Sequence, residues 1–280
     1  VEPLAGEGTR KLLATDPKNS IDGMGAYFIT LNRNKRTMSI DLKSERGLEL
    51  FYELVKESDV VINNFAAGVP SKLKIDYAHL SKVNPRIIGE HGPGAKRPAF
   101  DQVAQAYGGG MSITGGNAND PMRAGIPIGD LGGGMFGIMG VMAAIIERNV
   151  SGVGQHVDIS MLDVQVSLLN YMATMYFMSG EDPHPIGNAH FVHVPYNSYP
   201  TADGHLVIAI ITDNFWQNLK EVVNCPAFDD AKYDVQPGRL ADKDFIDGTL
   251  TAIFSQDTTA NWLEKLNAKR IPVAPVNKFS

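Results

Sequence analysis

The stretch GLELFYELVKESDVVI, residues 47–62, decides how this chain is read. Leu48, Leu50, Phe51, Leu54 and Val55 recur at helical spacing, and Asp59, Val60, Val61 and Ile62 then make a short apolar, β-branched run. Such a run is the mark of a strand buried in a parallel sheet. A helix leading into that strand is half of an alternating α/β unit. The pattern recurs with a Gly/Pro turn at 68–70, a helix over about 77–82 and a strand through Arg86, Ile87 and Ile88. Upstream lies an alternating strand over 38–42. Downstream come clustered glycines at 108–110 and 115–116, a long helix of small residues over 131–148, a strand over 155–160 and a helix over 161–178. The first part is therefore predicted to be a doubly wound α/β domain.

After Gly180 the texture changes, because residues 181–185 hold two prolines and two acids, the composition of a connector. Beyond it, apolar runs at 197–201 and 205–211 flank Ala202, Asp203 and Gly204, and Asp-Gly between such runs is a hairpin signal. Helical spacing follows over 214–223, 242–254 and 258–267, the last with Asp257 or Thr258 as N-cap. The expected organisation is a large domain over 1–180, a linker over 181–194 and a smaller α+β domain over 195–280.

With 44% hydrophobic and 20% charged residues the chain has ample core material. Its formal net charge of -6 argues against nucleic acid as a general partner. The single cysteine, Cys225, allows neither an intrachain disulfide nor a zinc site built on several thiolates, which suits a reducing compartment, so the cytoplasm is expected. The uncharged run over 131–146 stops at Glu147, short of the roughly 20 residues a membrane span needs, and reads as a buried helix. With no basic n-region leading into an apolar h-region at its start, no secretory signal is expected. The histidines show no helical pair at ligand spacing, so no metal site is expected. There is no G-x-S-x-G elbow, and the glycine clusters fit neither the P-loop nor the dinucleotide pattern. Met161, Met172, Met175 and Met178 read as helix-packing residues.

Two constellations carry chemistry. Asp130 stands just before the apolar periodicity of the long helix, with Gly129, Gly132, Gly133 and Gly134 around it. On spacing alone it is an N-cap, since Asp is among the best residues for that task. The glycines suggest more: they leave room for a second molecule, at a cost of roughly 1 kcal/mol for each Gly inside a helix. A carboxylate beside free amides could attack a carbonyl and have its oxyanion stabilised. Asp130 is thus expected at a helix N-terminal end with its carboxylate facing a cleft. Arg33, Asn34, Lys35 and Arg36 form the second constellation, a local cation cluster that suits a phosphorylated ligand or is simply a solvated charge run. Lys72, Lys74, Lys96 and Arg97 lie in loops after strands, where ligands of open α/β sheets collect.

The run PAFDQVAQA (98–106), the segment 127–134 and GVGQHVDISML (152–162) resemble class III CoA-transferases of the carnitine and bile-acid type, formyl-CoA transferase-like. Residues 1–3, 63–65, 187–190, 195–208 and 271–276 extend that resemblance along the whole chain. It implies a Rossmann-like large domain, a smaller domain, and a homodimer whose chains interlock like ring links. It also implies an activity: Asp130 attacks an acyl-CoA thioester to give a mixed anhydride, and the freed CoA thiolate then forms an aspartyl-CoA thioester. CoA moves in this way to a free carboxylic acid. By the same resemblance Ile40, Lys43, Asn64, Phe65, Lys72, Arg97, Phe100 and Asp101 hold coenzyme A; Lys72 stands where many members have Arg, which exchanges a bidentate contact for a single ammonium. The chain lacks the family's first strand and helix and its C-terminal return segment, and is short in the loop at 89–94.

A racemase acting on α-methylacyl-CoA esters is the nearest rival. Phe100 and Thr212 occupy the places of its His and Glu, and neither can serve as acid or base. A CoA-ester binding protein without turnover would need the cations but not Asp130. The segment Gly187, Asn188, Ala189, His190 resembles members acting on dicarboxylic acids, with His190 or Arg123 as partner for a second carboxylate.

Overall fold

The computed structural model describes residues 1–90 and 100–280. Its strands are β1 (Ser20–Ile21), β2 (Met24–Gly25), β3 (Val60–Ile62), β4 (Ile88–Glu90), β5 (His156–Val157), β6 (Tyr196–Pro200), β7 (His205–Ala209) and β8 (Val273–Pro275). Its helices are α1 (Ala26–Leu31), α2 (Glu45–Lys56), α3 (Val69–Leu73), α4 (Tyr77–Val83), α5 (Asp101–Tyr107), α6 (Ile128–Ser151), α7 (Met161–Leu168), α8 (Tyr171–Ser179), α9 (Asp213–Val223), α10 (Gln236–Ala241), α11 (Lys243–Phe254) and α12 (Thr259–Ala268). The chain is mixed α/β. Two compact units emerge, one of Val1–Gly108 with Ile126–Asn170 and one of Gly109–Gly125 with Tyr171–Ser280. Residues 109–125 and 171–180, grouped with the large domain by sequence, cluster with the second unit.

In the first unit β3, β4 and β5 form a parallel sheet in that order, with Val60 opposite Ile88 and Gly89 opposite His156. The helix-then-strand reading of 47–62 corresponds to α2 followed by β3. Ser44 caps α2 by accepting a hydrogen bond from the Gly47 amide at 3.0 Å, and Phe51 and Val55 turn inward onto Ile75, Leu80 and Ile87. On the other side Ile88 packs with Val141 and Ala144 of α6. Arg148, buried near the end of α6, binds the Asp59 carboxylate at 2.9 Å and the carbonyls of Asp59 and Arg86 at 3.2 Å. Each carbonyl lies just ahead of a strand, so one guanidinium ties α6 to β3 and β4.

Three local expectations change. The strand over 38–42 is reduced to a single bridge between Glu2 and Ser39. The strand over 155–160 stops at Val157, because Ser160 is taken up in capping α7 through the Asp163 amide at 3.2 Å. The helix over 161–178 is two helices, parted at Asn170, whose φ of 52° ends a right-handed helix. The long helix also differs from its reading as buried. It has 24 residues, is long and apolar enough by length and composition to cross a membrane, and only 28% of that apolar window is buried. Met135, Ile138, Met142, Ile146 and Val150 form an exposed stripe along it.

The second unit contains the antiparallel sheet β6-β7-β8. The Asp-Gly hairpin joins β6 to β7, with the Thr201 amide bonded to the Gly204 carbonyl at 2.9 Å. Thr258 caps α12 through the Asn261 amide at 3.3 Å, one of the two caps expected from the sequence. Trp216, Phe228, Phe254 and Leu266 lead the core. Arg239 is fully buried within it, donating to Asp213 at 2.8 Å, to the carbonyls of Val194 and Tyr233 at 2.8 and 2.7 Å and to Gln236 at 3.0 Å, with its guanidinium 5.3 Å from the Trp216 ring.

Candidate active site

The start of α6 is held from outside. The helix begins at Ile128, and Pro127, at the N-cap position, has no side chain able to accept. The free amides are taken by Asp101, the first residue of α5: its Oδ1 accepts from Gly129 N at 2.7 Å and from Asp130 N at 3.3 Å. Its Oδ2 accepts from Gln105 Nε2 at 2.7 Å. Gln105 is one turn further along α5 and buried, so the carboxylate is fixed on both sides. A second buried amide, Gln165 of α7, donates to the Ile128 carbonyl at 3.3 Å.

This arrangement corrects the N-cap reading of Asp130. Capping, the task that spacing alone would give it, belongs to Asp101. Asp130 sits in the first turn as an exposed residue, and its carboxylate makes no hydrogen bond among the described residues. Even so, partial desolvation by its surroundings and then the negative charge of Asp101 raise its pKa above the ordinary carboxylate value. The helix dipole acts in the opposite sense.

Two further expectations about this turn are corrected. The glycines do not all leave room for a ligand. A Cβ at Gly129 would lie 2.9 Å from Asp101 Oδ1, one at Gly132 would lie 3.0 Å from Val164 Cγ1, and one at Gly133 would lie 3.3 Å from Met161 Cγ. Close approach by α5 and α7 accounts for these, and only Gly134 faces open space. Nor are the adjacent amides free for an oxyanion, since Asp101 holds those of Gly129 and Asp130, while Leu131 N binds the Pro127 carbonyl at 2.9 Å.

Residues that the resemblance links to coenzyme A also lie in the first unit. Asn64 and Phe65 follow β3 at its carboxyl end and are exposed, with Phe65 N bonded to Asn63 Oδ1 at 3.3 Å. Lys72 is exposed on α3, and Lys43 is exposed with its amide on Asp41 Oδ1 at 3.0 Å. The Ile40 side chain is buried and its amide donates to the Glu2 carbonyl at 3.0 Å, which leaves only its own carbonyl for a ligand. Phe100 is 79% exposed. Arg97, Lys96 and the loop at 91–94 lie outside the described residues. Asp101 has both oxygens committed within the protein. Sequence reading missed Gln105 and Gln165, although Asp101 and Gln105 at helical i,i+4 spacing were a usable signal. Among the described residues no group of three or more His, Cys, Asp or Glu could hold a metal.

The chain is 35% identical over 285 residues to a succinyl-CoA:mesaconate CoA-transferase of Haloarcula hispanica, covering 95% of this chain and 70% of that protein. It is 32% identical over 261 residues to a succinyl-CoA:glutarate CoA-transferase of Mus musculus, covering 90% and 60%. The crystal structure of a CAIB/BAIF family protein from Brucella suis superposes with a TM-score of 0.89 at 30% identity, over 99% of this chain and 75% of that one. The family profile described as CoA-transferase family III matches residues 1–280, and the chain belongs to that family.

Proposed function

We propose that the protein transfers CoA from an acyl-CoA thioester to a free carboxylic acid, with Asp130 as nucleophile. The observation that carries this reading is that another aspartate caps α6, leaving the Asp130 carboxylate without a structural duty. In the first step an Asp130 oxygen bonds to the thioester carbonyl carbon and the carbon–sulfur bond breaks, giving an aspartyl-acyl anhydride and CoA thiolate. The thiolate attacks the Asp130 carbonyl carbon, releasing the donor acid and forming aspartyl-CoA. The acceptor carboxylate then repeats these steps in reverse, and Asp130 is regenerated. No redox change is involved. Lys43, Asn64, Phe65 and Lys72 are the described residues offered for CoA, with the Ile40 backbone, Phe100 and Arg97 completing the set by resemblance. Asp101 acts through Asp130, as a positioning residue. The relatives' names point to short dicarboxylic acids as donor and acceptor.

The finer architecture belongs to the same reading: a doubly wound, Rossmann-like large domain and an interlocked homodimer, in the cytoplasm. The exposed apolar stripe of α6 supports a partner chain, because contiguous apolar surface of this kind marks an interface or a membrane contact. A proton-exchanging racemase is disfavoured, since Phe100 carries no base and the Thr212 hydroxyl is used in capping α9, accepting from Phe215 N at 3.3 Å. The test is incubation of the full-length protein with acyl-CoA, then hydroxylamine and mass spectrometry. A hydroxamate at Asp130, absent in Asp130→Ala, is expected. Turnover retained in Asp130→Ala, or a label on another residue, refutes the mechanism, and a stable monomer by light scattering refutes the dimer.

A further inference from the structure

The cations of Arg33, Lys35 and Arg36 are not used by the mechanism above. They follow the C-terminal end of α1 in a turn closed by Lys35 N on the Asn32 carbonyl at 3.2 Å, with Asn34 at a φ of 61°. All three are exposed, and among the described residues none makes an ion pair. Most other arginines are engaged: Arg10, Arg46, Arg148 and Arg239 each hold a carboxylate, and Arg86 and Arg123 hold carbonyls. Glu2, which accepts from Thr37 next to the cluster, is already saturated. Arg10 binds it twice at 2.8 Å, Thr37 donates to it, and the Glu7 amide reaches it at 2.8 Å. Among the described residues the cluster is thus left without an ion-paired carboxylate.

Beside it lies a cavity of about 610 Å3 lined by Met24, Phe28, Ile29, Thr30, Asn32 and Arg33. Its lining combines apolar and aromatic side chains with polar and cationic ones, and the volume falls in the range of small-molecule sites. The Arg10 guanidinium lies 4.1 Å from the Phe28 ring centroid, but its charge is neutralised by Glu2, so the unbalanced charge at the cavity is that of Arg33 and the turn after it.

We propose that Arg33, with Lys35 and Arg36, forms the cationic rim of a site for a phosphorylated nucleoside, whose base lies on the wall of Met24, Phe28 and Ile29. A monocarboxylate gains little from exposed cations. A phosphate dianion suits guanidinium forks, which can bind it bidentately, and the apolar wall selects an organic phosphate over the inorganic ion. Two sources share this chemistry, the nucleotide end of a CoA ester and a separate nucleotide. The first rests on the transferase reading and the second does not.

The test is calorimetry on the full-length protein with adenosine 3′,5′-bisphosphate, inorganic phosphate and CoA as probes. The bisphosphate is expected to bind at least about tenfold more tightly than inorganic phosphate, and Arg33→Ala with Arg36→Ala to weaken it by about tenfold or more. Because both side chains are exposed, the thermal midpoint of the double variant should stay at the wild-type value, and Arg33→Lys should lose less than Arg33→Ala. Competition between CoA and the bisphosphate at one site per chain assigns the rim to the substrate's nucleotide end, whereas simultaneous binding assigns it to a separate nucleotide. A bisphosphate affinity unchanged within about twofold in the double variant, or no preference over inorganic phosphate, overturns the proposal. Failure of CoA to bind while the bisphosphate does so refutes the transferase reading alone.

Discussion

Replacing Asp101 by Ala removes in one step the acceptor for Gly129 N, Asp130 N and Gln105 Nε2. Loss of a helix cap costs about 0.5–2 kcal/mol, and loss of the hydrogen bond from Gln105 Nε2 to the charged carboxylate adds about 1.5–3 kcal/mol, so a combined loss of about 2–4 kcal/mol is expected. Asp101→Asn keeps one oxygen for the amides and should lose about 1 kcal/mol. Urea unfolding of the full-length protein measures both. The same pair of variants has a kinetic signature that a purely structural residue would lack. The pKa of Asp130 is raised by desolvation and by the charge of Asp101, and a nucleophilic carboxylate must be ionised. Asp101→Asn removes the charge, lowers the pKa of Asp130, and moves the acid limb of the kcat/KM profile to lower pH. If Asp101→Ala is as stable as wild type, the capping argument is wrong. If Asp101→Asn leaves the acid limb in place, the electrostatic argument is wrong.

Gly129→Ala should destabilise by about 1–3 kcal/mol, because its Cβ would lie 2.9 Å from a fixed carboxylate oxygen, while Gly134→Ala, which meets nothing, should stabilise the isolated helix surface by about 0.5–1 kcal/mol. Chemical denaturation of the two variants side by side decides this, and equal effects would show that close packing does not explain the glycines. Arg239→Ala should cost about 3–5 kcal/mol, by stranding Asp213 and the carbonyls of Val194 and Tyr233, and near-UV circular dichroism of the aromatic core should report it. Glu2 has its pKa pulled from 4.5 to about 2, chiefly by the hydrogen bonds from Arg10 and then Thr37. A depressed acid stabilises the fold above its unfolded pKa, so the thermal-midpoint gap between wild type and Glu2→Gln should be full above pH 4.5 and shrink as pH falls towards about 2.

Elements whose stability is local were legible in the sequence. The α2–β3 unit announces itself because the apolar spacing switches period between Val55 and Val60, and the Asp203-Gly204 hairpin because its turn chemistry is carried by adjacent residues. What could not be read was work done across long separations. Spacing assigned Asp130 the cap that Asp101 supplies from 29 residues away, since a single sequence shows which residues can cap but not which carboxylate arrives first. The glycines of α6 were assigned to an incoming molecule for the same reason: nothing in the local pattern tells a ligand from the packing of Val164 and Met161. The α6 helix was read as buried because hydropathy records how apolar a face is, not what covers it.

The contact between Asp101 and Gly129 also bears on how the family's sequences can drift. With 2.9 Å between the carboxylate oxygen and the place a Cβ would take, neither position can change alone without cost. A side chain at 129 would require a shorter or absent acceptor at 101, and a longer acid at 101 would need the glycine and a retreat of α5. These two sites, far apart in the chain, should therefore be inherited as a pair, together with the glutamine at 105 that fixes the free oxygen. Under the proposed mechanism, lineages that have abandoned acyl transfer, and with it the need to hold residue 130 clear of capping, would be the ones in which that triple dissolves.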